Sequence, residues 1–198
     1  MRRCAALVLV TTALLTAGCG ANREQPESAA SAALEASRPT VIQGTFAPYS
    51  PGATAVTYNP KLVPPGSWAH VTIAEVADST TVTLAVNGLL PNHEYGAHLH
   101  TMACGEEGAM AGPHYQHQPD PAASMSPPST NPAYANPQNE VWLDLTTDSQ
   151  GAGLSKSTQP WRFNVPAQSL VLHAEKTQSA PGKAGMAGAR LACLTLRP

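Results

Sequence analysis

The chain has 198 residues, a formal net charge of −2 and only 12% charged residues. It contains no basic run and no interleaving of aromatic and basic residues, which excludes the common classes of nucleic-acid-binding protein. Its 15 glycines and 19 prolines favour a loop-rich β protein over a helical one. At this length we expect one domain of moderate size once the termini are set aside.

The N-terminal residues predict export and a lipid anchor. Arg2 and Arg3 precede an apolar run at 5–15, which is too short to span a bilayer comfortably. The run ends in Leu-Thr-Ala-Gly-Cys at 15–19, which resembles a bacterial lipobox. This resemblance implies a signal peptide at 1–18 and lipidation of Cys19, with the protein held at the outer face of the bacterial cell membrane. The alternative is an ordinary secretory signal with an accidental cysteine.

Residues 19–40 are rich in Ala, Ser and Glu and have few large apolar side chains, which predicts a disordered tether. The folded domain is expected at 41–198. Within it, eight short segments carry strand patterns: 55–58, 70–76, 81–86, 94–101, 140–147, 152–158, 169–173 and 190–196. Short strands with no convincing helix predict an all-β fold, an antiparallel sandwich or barrel.

One long interval, 102–139, breaks the strand pattern. It has 38 residues and seven prolines. Loops of that length inside a compact domain are usually functional or disordered. Because this loop holds two histidines close together, the functional interpretation is favoured.

Five of the seven histidines fall in three segments. His98 and His100 alternate along a predicted strand, so their rings share one face roughly 7 Å apart. His114 and His117 lie in the long loop, and His173 ends an apolar run. A lone histidine is usually a surface or core residue, but this grouping predicts a metal site.

The cysteines indicate a disulfide. Cys4 leaves with the signal peptide and Cys19 is taken by lipid, so Cys104 and Cys193 remain as a pair in an oxidising compartment. A bond between them would close a loop of roughly 90 residues and stabilise the fold by about 4 kcal/mol on the chain-entropy model. The alternative is two buried free thiols.

Four ordered motifs then resemble a known family. Gly-Leu-Leu-Pro at 88–91 leads into Gly-Ala-His-Leu-His at 96–100, and Gly-Pro-His-Tyr follows at 112–115. Leu-Val-Leu-His stands at 170–173 and Gly-Ala-Arg-Leu-Ala-Cys at 188–193. From about residue 71 onward the chain resembles the copper-zinc superoxide dismutases, in their bacterial exported branch. The resemblance implies a Greek-key β-barrel or flattened sandwich of eight strands.

The resemblance also implies a ligand set and an activity. His98, His100, His114 and His173 would bind copper, and His114 would be the histidine that detaches and carries a proton. Arg190 would attract the superoxide anion, which the enzyme converts to oxygen and hydrogen peroxide. Relatives of this kind occur as monomers and as homodimers.

The zinc side departs from the family pattern. His117 follows His114 by only three residues, and no histidine lies between His117 and Asp144, so one zinc histidine is missing and a copper-only site is favoured. His117 would be a spare polar residue, an adventitious ligand or part of a degenerate zinc site with Asp120. Asp144 would be the zinc aspartate or a solvent-facing strand residue, and Asp144 or Glu140 could hold the free side of the His114 ring.

Two functions follow from these residues. The first is a copper-dependent dismutase at the cell envelope. The alternative is a dismutase-like lipoprotein that binds or buffers copper with little or no turnover. Arg190 favours the enzyme, because a copper store needs no guide for an anion.

Overall fold

The computed structural model describes residues 38–124 and 127–197, which contain nine strands and one 3₁₀ helix. The strands are β1 (Thr40–Thr45), β2 (Ala55–Thr57), β3 (Trp68–Val76), β4 (Ser79–Asn87), β5 (Glu94–His100), β6 (Leu145–Thr146), β7 (Gly153–Gln159), β8 (Ser169–His173) and β9 (Arg190–Thr195). The 3₁₀ helix spans Gly108–Ala111. The predicted signal peptide, Cys19 and nearly all of the predicted tether lie outside the described residues. Within the described ranges, no helix has the length and hydropathy needed to cross a membrane.

The strands form two sheets. One has the order β1-β3-β4-β7 and the other the order β2-β9-β8-β5-β6. Neighbouring strands in both sheets run antiparallel. The predicted all-β antiparallel class is therefore confirmed, in the form of a two-sheet sandwich.

The core lies between the sheets and follows the predicted alternation. Val82, Leu84 and Val86 of β4 are buried, as the period-2 pattern requires. Leu170 and Leu172 of β8 join the same apolar cluster from the other sheet. Burial of apolar side chains such as these is the dominant favourable contribution to folding.

The five-stranded sheet is buried on its outer face as well. All five residues of β8, and all but the first of β5 and of β9, are buried. The long loop covers part of this face, where Ala111 packs against Val171 and Cys193. Polar side chains that point outward from β5 and β8 are thus enclosed between the sheet and the loops.

Two strands differ from the sequence prediction. β1 was not predicted, because Thr-Val-Ile-Gln-Gly-Thr has no alternation of large apolar residues and the strand is an exposed sheet edge. The predicted strand at 140–147 is regular only at Leu145–Thr146. Its earlier residues pair in turn with the long loop and with β5, in bridges between Gln116 and Glu140 and between His98 and Trp142. Val141, Leu143 and Leu145 nevertheless point inward as predicted.

Candidate metal centre

Four histidines from three parts of the chain meet on the outer face of the five-stranded sheet. One ring nitrogen from each lies within 4.8 Å of the others in the set His98, His100, His114 and His173, which we call the histidine cluster. Alternation along β5 sends His98 and His100 outward, while Leu99 between them enters the core. These are the four residues that the sequence motifs indicate as copper ligands.

Strand pairing brings His173 and His114 to the same place. His173 ends β8 opposite Gly96 of β5. A Cβ on Gly96 would lie 2.5 Å from the Glu175 carbonyl oxygen, so only glycine lets the chain leaving β8 pass this close. The long loop folds back on β5 through a bridge between His100 and His114.

Two of the rings present the same nitrogen to the centre. His100 Nδ1 donates to the Gly112 carbonyl oxygen at 2.9 Å, and His173 Nδ1 lies 3.5 Å from the Gly188 carbonyl oxygen. Both Nε2 atoms then carry lone pairs and stand 3.4 Å apart. Lone pairs at this separation repel each other unless a cation lies among them.

His98 is turned the other way. Its Nε2 lies 2.6 Å from the Thr177 hydroxyl oxygen, and its Nδ1 is buried with no partner. Folded proteins rarely leave a buried polar atom unpaired. A metal ion held by this atom and by the Nε2 atoms of the other rings would satisfy all of them, so the residues present fit a four-imidazole metal site.

The remaining side of His114 is held by a carboxylate. His114 Nδ1 donates to Glu140 Oε2 at 2.9 Å. Trp142 Nε1 donates to the same oxygen at 2.7 Å, and Gln116 Nε2 donates to Glu140 Oε1 at 2.8 Å. Of the two carboxylates proposed for this contact, the structure brings Glu140 to His114, which leaves Nε2 of that ring for the cluster.

Burial keeps three rings of the cluster neutral. It lowers the pKa of His98 and of His100 well below the usual range, and the neighbouring histidines and Arg190 lower both pKa values further. Burial likewise lowers the pKa of His173 to about 3. Neutral imidazole is the form that binds metal, so these rings stay available in mildly acidic solution.

Arg190 shares an open cavity with the cluster. The cavity has a volume of about 600 Å³ and touches Arg190, His114 and His173. Arg190 opens β9 beside His173, and its Nη1 donates to the Gly108 carbonyl oxygen at 2.8 Å. The positive charge of a guanidinium in this position attracts small anions toward the accessible edge of the cluster.

The fold resembles solved structures. The Cu/Zn superoxide dismutase from Brucella abortus aligns with 18% identity and a TM-score of 0.50, over 79% of this chain and 99% of that one. The fold is superoxide-dismutase-like. Two mutant forms of a SOD-like protein from Bacillus subtilis align at 17% identity with TM-scores of 0.47 and 0.48, over 66% of this chain and 89% or 90% of theirs. No protein-family model matches the sequence, and no curated protein matches it either.

The predicted disulfide of this dismutase-like domain is confirmed. Cys104 and Cys193 are bonded, so the alternative of two free thiols is wrong. The bond joins the long loop to β9, and the Cys104 amide donates to Thr195 Oγ1 at 3.1 Å. Together these contacts hold the loop against the strand that carries Arg190.

The residues predicted for a second metal do not belong to the group of side chains that could hold the ion. His117 stacks on Trp161, with ring centroids 4.6 Å apart and planes 9° from parallel. Asp120 accepts from the Ser129 hydroxyl at 2.6 Å. Asp144 accepts from Thr177 and from the Ala97 amide. Across residues 38–124 and 127–197, the histidine cluster is the one group of three or more histidine, cysteine or acidic side chains that could hold a metal.

Two residues beside the cluster, Trp142 and Thr177, were not identified from the sequence as part of the site. Trp142 could have been identified, because alternation along 140–147 puts its side chain on the other face of the segment from Val141 and Leu143. That face meets the cluster. Thr177 gave no signal, since its contact with His98 depends on how the segment between β8 and β9 folds back over β5.

Proposed function

We propose that this protein is a copper-dependent superoxide dismutase of the cell envelope, converting superoxide to oxygen and hydrogen peroxide. The observation that carries the proposal is the shared cavity. Four imidazoles converge on one point, and the fixed guanidinium of Arg190 lines the same cavity as His114 and His173. A structural role does not require this arrangement, and copper storage does not require Arg190.

Copper fits the donor set better than the harder cations. Imidazole nitrogen suits copper and zinc, whereas Mg²⁺ and Ca²⁺ prefer oxygen. His98 would bind through Nδ1, and His100, His114 and His173 through Nε2. When bound, copper would supply one-electron chemistry, taking an electron from one superoxide and giving it to a second.

The chain's own residues have separate tasks in this reaction. Arg190 raises the local concentration of the anionic substrate, an effect worth about 10- to 1,000-fold in association rate. His114 reaches both the cluster and the cavity, so its Nε2 is the atom suited to hold a proton for the product. Glu140 fixes the His114 ring through Nδ1 and keeps its orientation constant.

The location follows from the N-terminal pattern. The lipobox-like residues at 15–19 support a lipid anchor at Cys19 and a position outside the cell membrane. Superoxide is an anion, so it crosses a bilayer poorly and must be removed on the side where it is formed. A tethered enzyme would intercept it there.

The test is metal content and dismutase activity of the full-length protein loaded with copper alone. We expect one copper per chain, no requirement for zinc and fast turnover. Replacing Arg190 with Glu should lower kcat/KM by about 10- to 1,000-fold and leave the copper content unchanged. The matched variant Arg190→Lys keeps the charge and should retain more of the rate.

Two results would contradict the proposal. One tightly bound copper with no activity above that of the metal-free protein would favour the copper-binding lipoprotein. Equal rates for the wild-type protein and Arg190→Glu, at low ionic strength, would remove Arg190 from the reaction.

A further inference from the structure

Thr177 makes three short contacts beneath the histidine cluster. Its hydroxyl oxygen lies 2.6 Å from His98 Nε2 and 2.6 Å from Asp144 Oδ1. Its backbone N–H donates to Asp144 Oδ2 at 2.8 Å. Asp144 Oδ1 also accepts from the Ala97 amide at 3.2 Å, so the carboxylate is bonded at both oxygens.

The hydroxyl has only one proton, and its direction can be inferred. A carboxylate accepts and cannot donate, so the proton of the Thr177 hydroxyl must point to Asp144. The hydroxyl oxygen then has only lone pairs to offer His98. At 2.6 Å this contact is a hydrogen bond only if His98 Nε2 carries the proton.

Asp144 does not reach His98 by itself. Its Oδ1 lies 3.8 Å from His98 Nε2, which is too long for a hydrogen bond. Thr177 therefore completes the connection from the carboxylate to the ring. The order is Asp144, Thr177, His98 and then the centre of the cluster.

We propose that Thr177 is a positioning residue that connects the Asp144 carboxylate to His98 and fixes the tautomer of that ring, with its proton on Nε2. Other backbone and side-chain acceptors hold the remaining rings in the opposite sense, with Nε2 toward the centre. The buried, unpartnered Nδ1 of His98 is the independent sign that this nitrogen is reserved for a ligand.

The same contact positions the wall of the cavity. Thr177 ties the segment between β8 and β9 to Asp144, and beside it the Gln178 amide donates to the Met186 carbonyl oxygen at 2.8 Å. Gly185, in the same segment, lies beside the His114 ring, where a Cβ would be in ordinary van der Waals contact with Nδ1 at 3.7 Å. Loss of Thr177 should therefore disturb His98 most directly and the cavity wall second.

This inference rests on metal binding by the histidine cluster, as in the proposed function, but it does not require turnover. The first test is ¹⁵N NMR of the ring nitrogens in the metal-free, full-length protein. We expect His98 to be protonated at Nε2 in the wild-type protein and in Thr177→Ser. In Thr177→Val, which keeps the shape but removes the hydroxyl, we expect a mixture of tautomers.

The second test is affinity for copper alone, measured by competition with a chelator. Outer contacts of this kind change metal affinity by about 10- to 100-fold, so Thr177→Val should bind copper more weakly by that factor. Thr177→Ser should restore it. Ser179→Ala removes an exposed hydroxyl from the same segment and should match the wild type.

The inference is overturned if wild-type His98 carries its proton on Nδ1, a result that needs no variant and so holds even if Thr177→Val does not fold. It is also overturned if Thr177→Val keeps both a single tautomer and wild-type copper affinity. An Nε2-protonated His98 in a copper-loaded protein without activity would contradict the dismutase proposal and leave this inference standing.

Discussion

Glu140 shows how the structure keeps a buried charge near the cluster. Its carboxylate is nearly inaccessible to solvent, yet it accepts hydrogen bonds from His114, Trp142 and Gln116. A buried carboxylate is tolerated only when its lone pairs are satisfied in this way. The Gln159 side chain adds a further bond to the Glu140 carbonyl oxygen at 3.0 Å. The His114 ring is thus held by a side chain that is itself fixed on both sides.

Replacing Glu140 with Gln should destabilise the metal-free protein by about 1–3 kcal/mol. The NH₂ group of the glutamine side chain would face one of the donors that now contact the carboxylate, and two donors cannot form a hydrogen bond. The measurement is the free energy of unfolding from urea denaturation. Glu107→Gln is the control, since Glu107 is exposed and makes no capping bond with its side chain; it should change stability by less than about 0.5 kcal/mol. Equal effects of the two substitutions would show that the Glu140 contacts contribute nothing.

At the level of elements, the alternation of side chains along β5 builds both the core and the metal centre. Its inward residues Tyr95, Ala97 and Leu99 build the core, and its outward residues His98 and His100 build the metal centre. Core packing therefore fixes the register of the ligands, because a slip by one residue would exchange the two faces. β8 repeats the arrangement and contributes His173.

The turn before β7 requires a glycine at position 151. Gly151 has a φ of +76°, and its carbonyl oxygen accepts from the Leu89 amide at 3.1 Å. A Cβ at this position would collide with the Leu89 carbonyl oxygen. The turn and the link between β4 and β5 therefore fit together only with glycine at 151.

Gly151→Ala should lower the free energy of unfolding by clearly more than Gly182→Ala. Gly182 has nearly the same φ, +74°, but a Cβ there meets nothing within 4 Å. The control should cost only the strain of the left-handed backbone, about 1–2 kcal/mol, whereas the collision at 151 should add about 1–3 kcal/mol. Chemical denaturation of both variants measures the difference, and equal losses would mean that the turn relaxes freely.

At the scale of the whole molecule, two kinds of long-range connection hold the parts of the site together. The Cys104–Cys193 disulfide spans 89 residues of sequence and stabilises the fold by about 4 kcal/mol on the chain-entropy model. Strand pairing supplies the other, since β5 pairs with β8 and β8 with β9. The histidine cluster therefore depends on the folding of the whole domain.

The metal-free protein should lose stability as the pH falls below about 6.5 toward 3. Unfolded histidines take up protons near pH 6.5, whereas burial lowers the pKa of His98, His100 and His173 in the folded protein, the last to about 3. In this range the unfolded state binds more protons, so the free energy of unfolding rises with pH. Urea denaturation at pH 7.5, 6.0 and 5.0 measures the slope.

His173→Gln provides the control for the pH dependence. It removes one of the buried groups and should reduce the slope by up to about 1.4 kcal/mol per pH unit. An unchanged slope in this variant, or a wild-type stability that does not vary between pH 7.5 and 5.0, would contradict the assignment of the effect to the cluster.

Features of this protein that depend on local patterns can be predicted from its sequence. Alternation in 81–86 and 94–101 predicts strands with the correct inward faces, and the motif spacing selects His98, His100, His114 and His173. Two cysteines remain in a chain that the N-terminal pattern predicts to be exported, and this pair indicates the disulfide. Local order suffices for these predictions because a strand has a fixed period and a thiol in that compartment has few alternatives.

Which nitrogen of each ring faces the centre, and which group holds the other nitrogen, depends on tertiary contacts. Glu140 and Asp144 were equal candidates for His114, and the structure assigns Glu140 to His114 and Asp144 to Thr177. The edge strand β1 was likewise found only by its pairing with β3. These outcomes depend on contacts between segments far apart in the sequence, and hydrogen bonds of about 3 Å cannot be read from residue order.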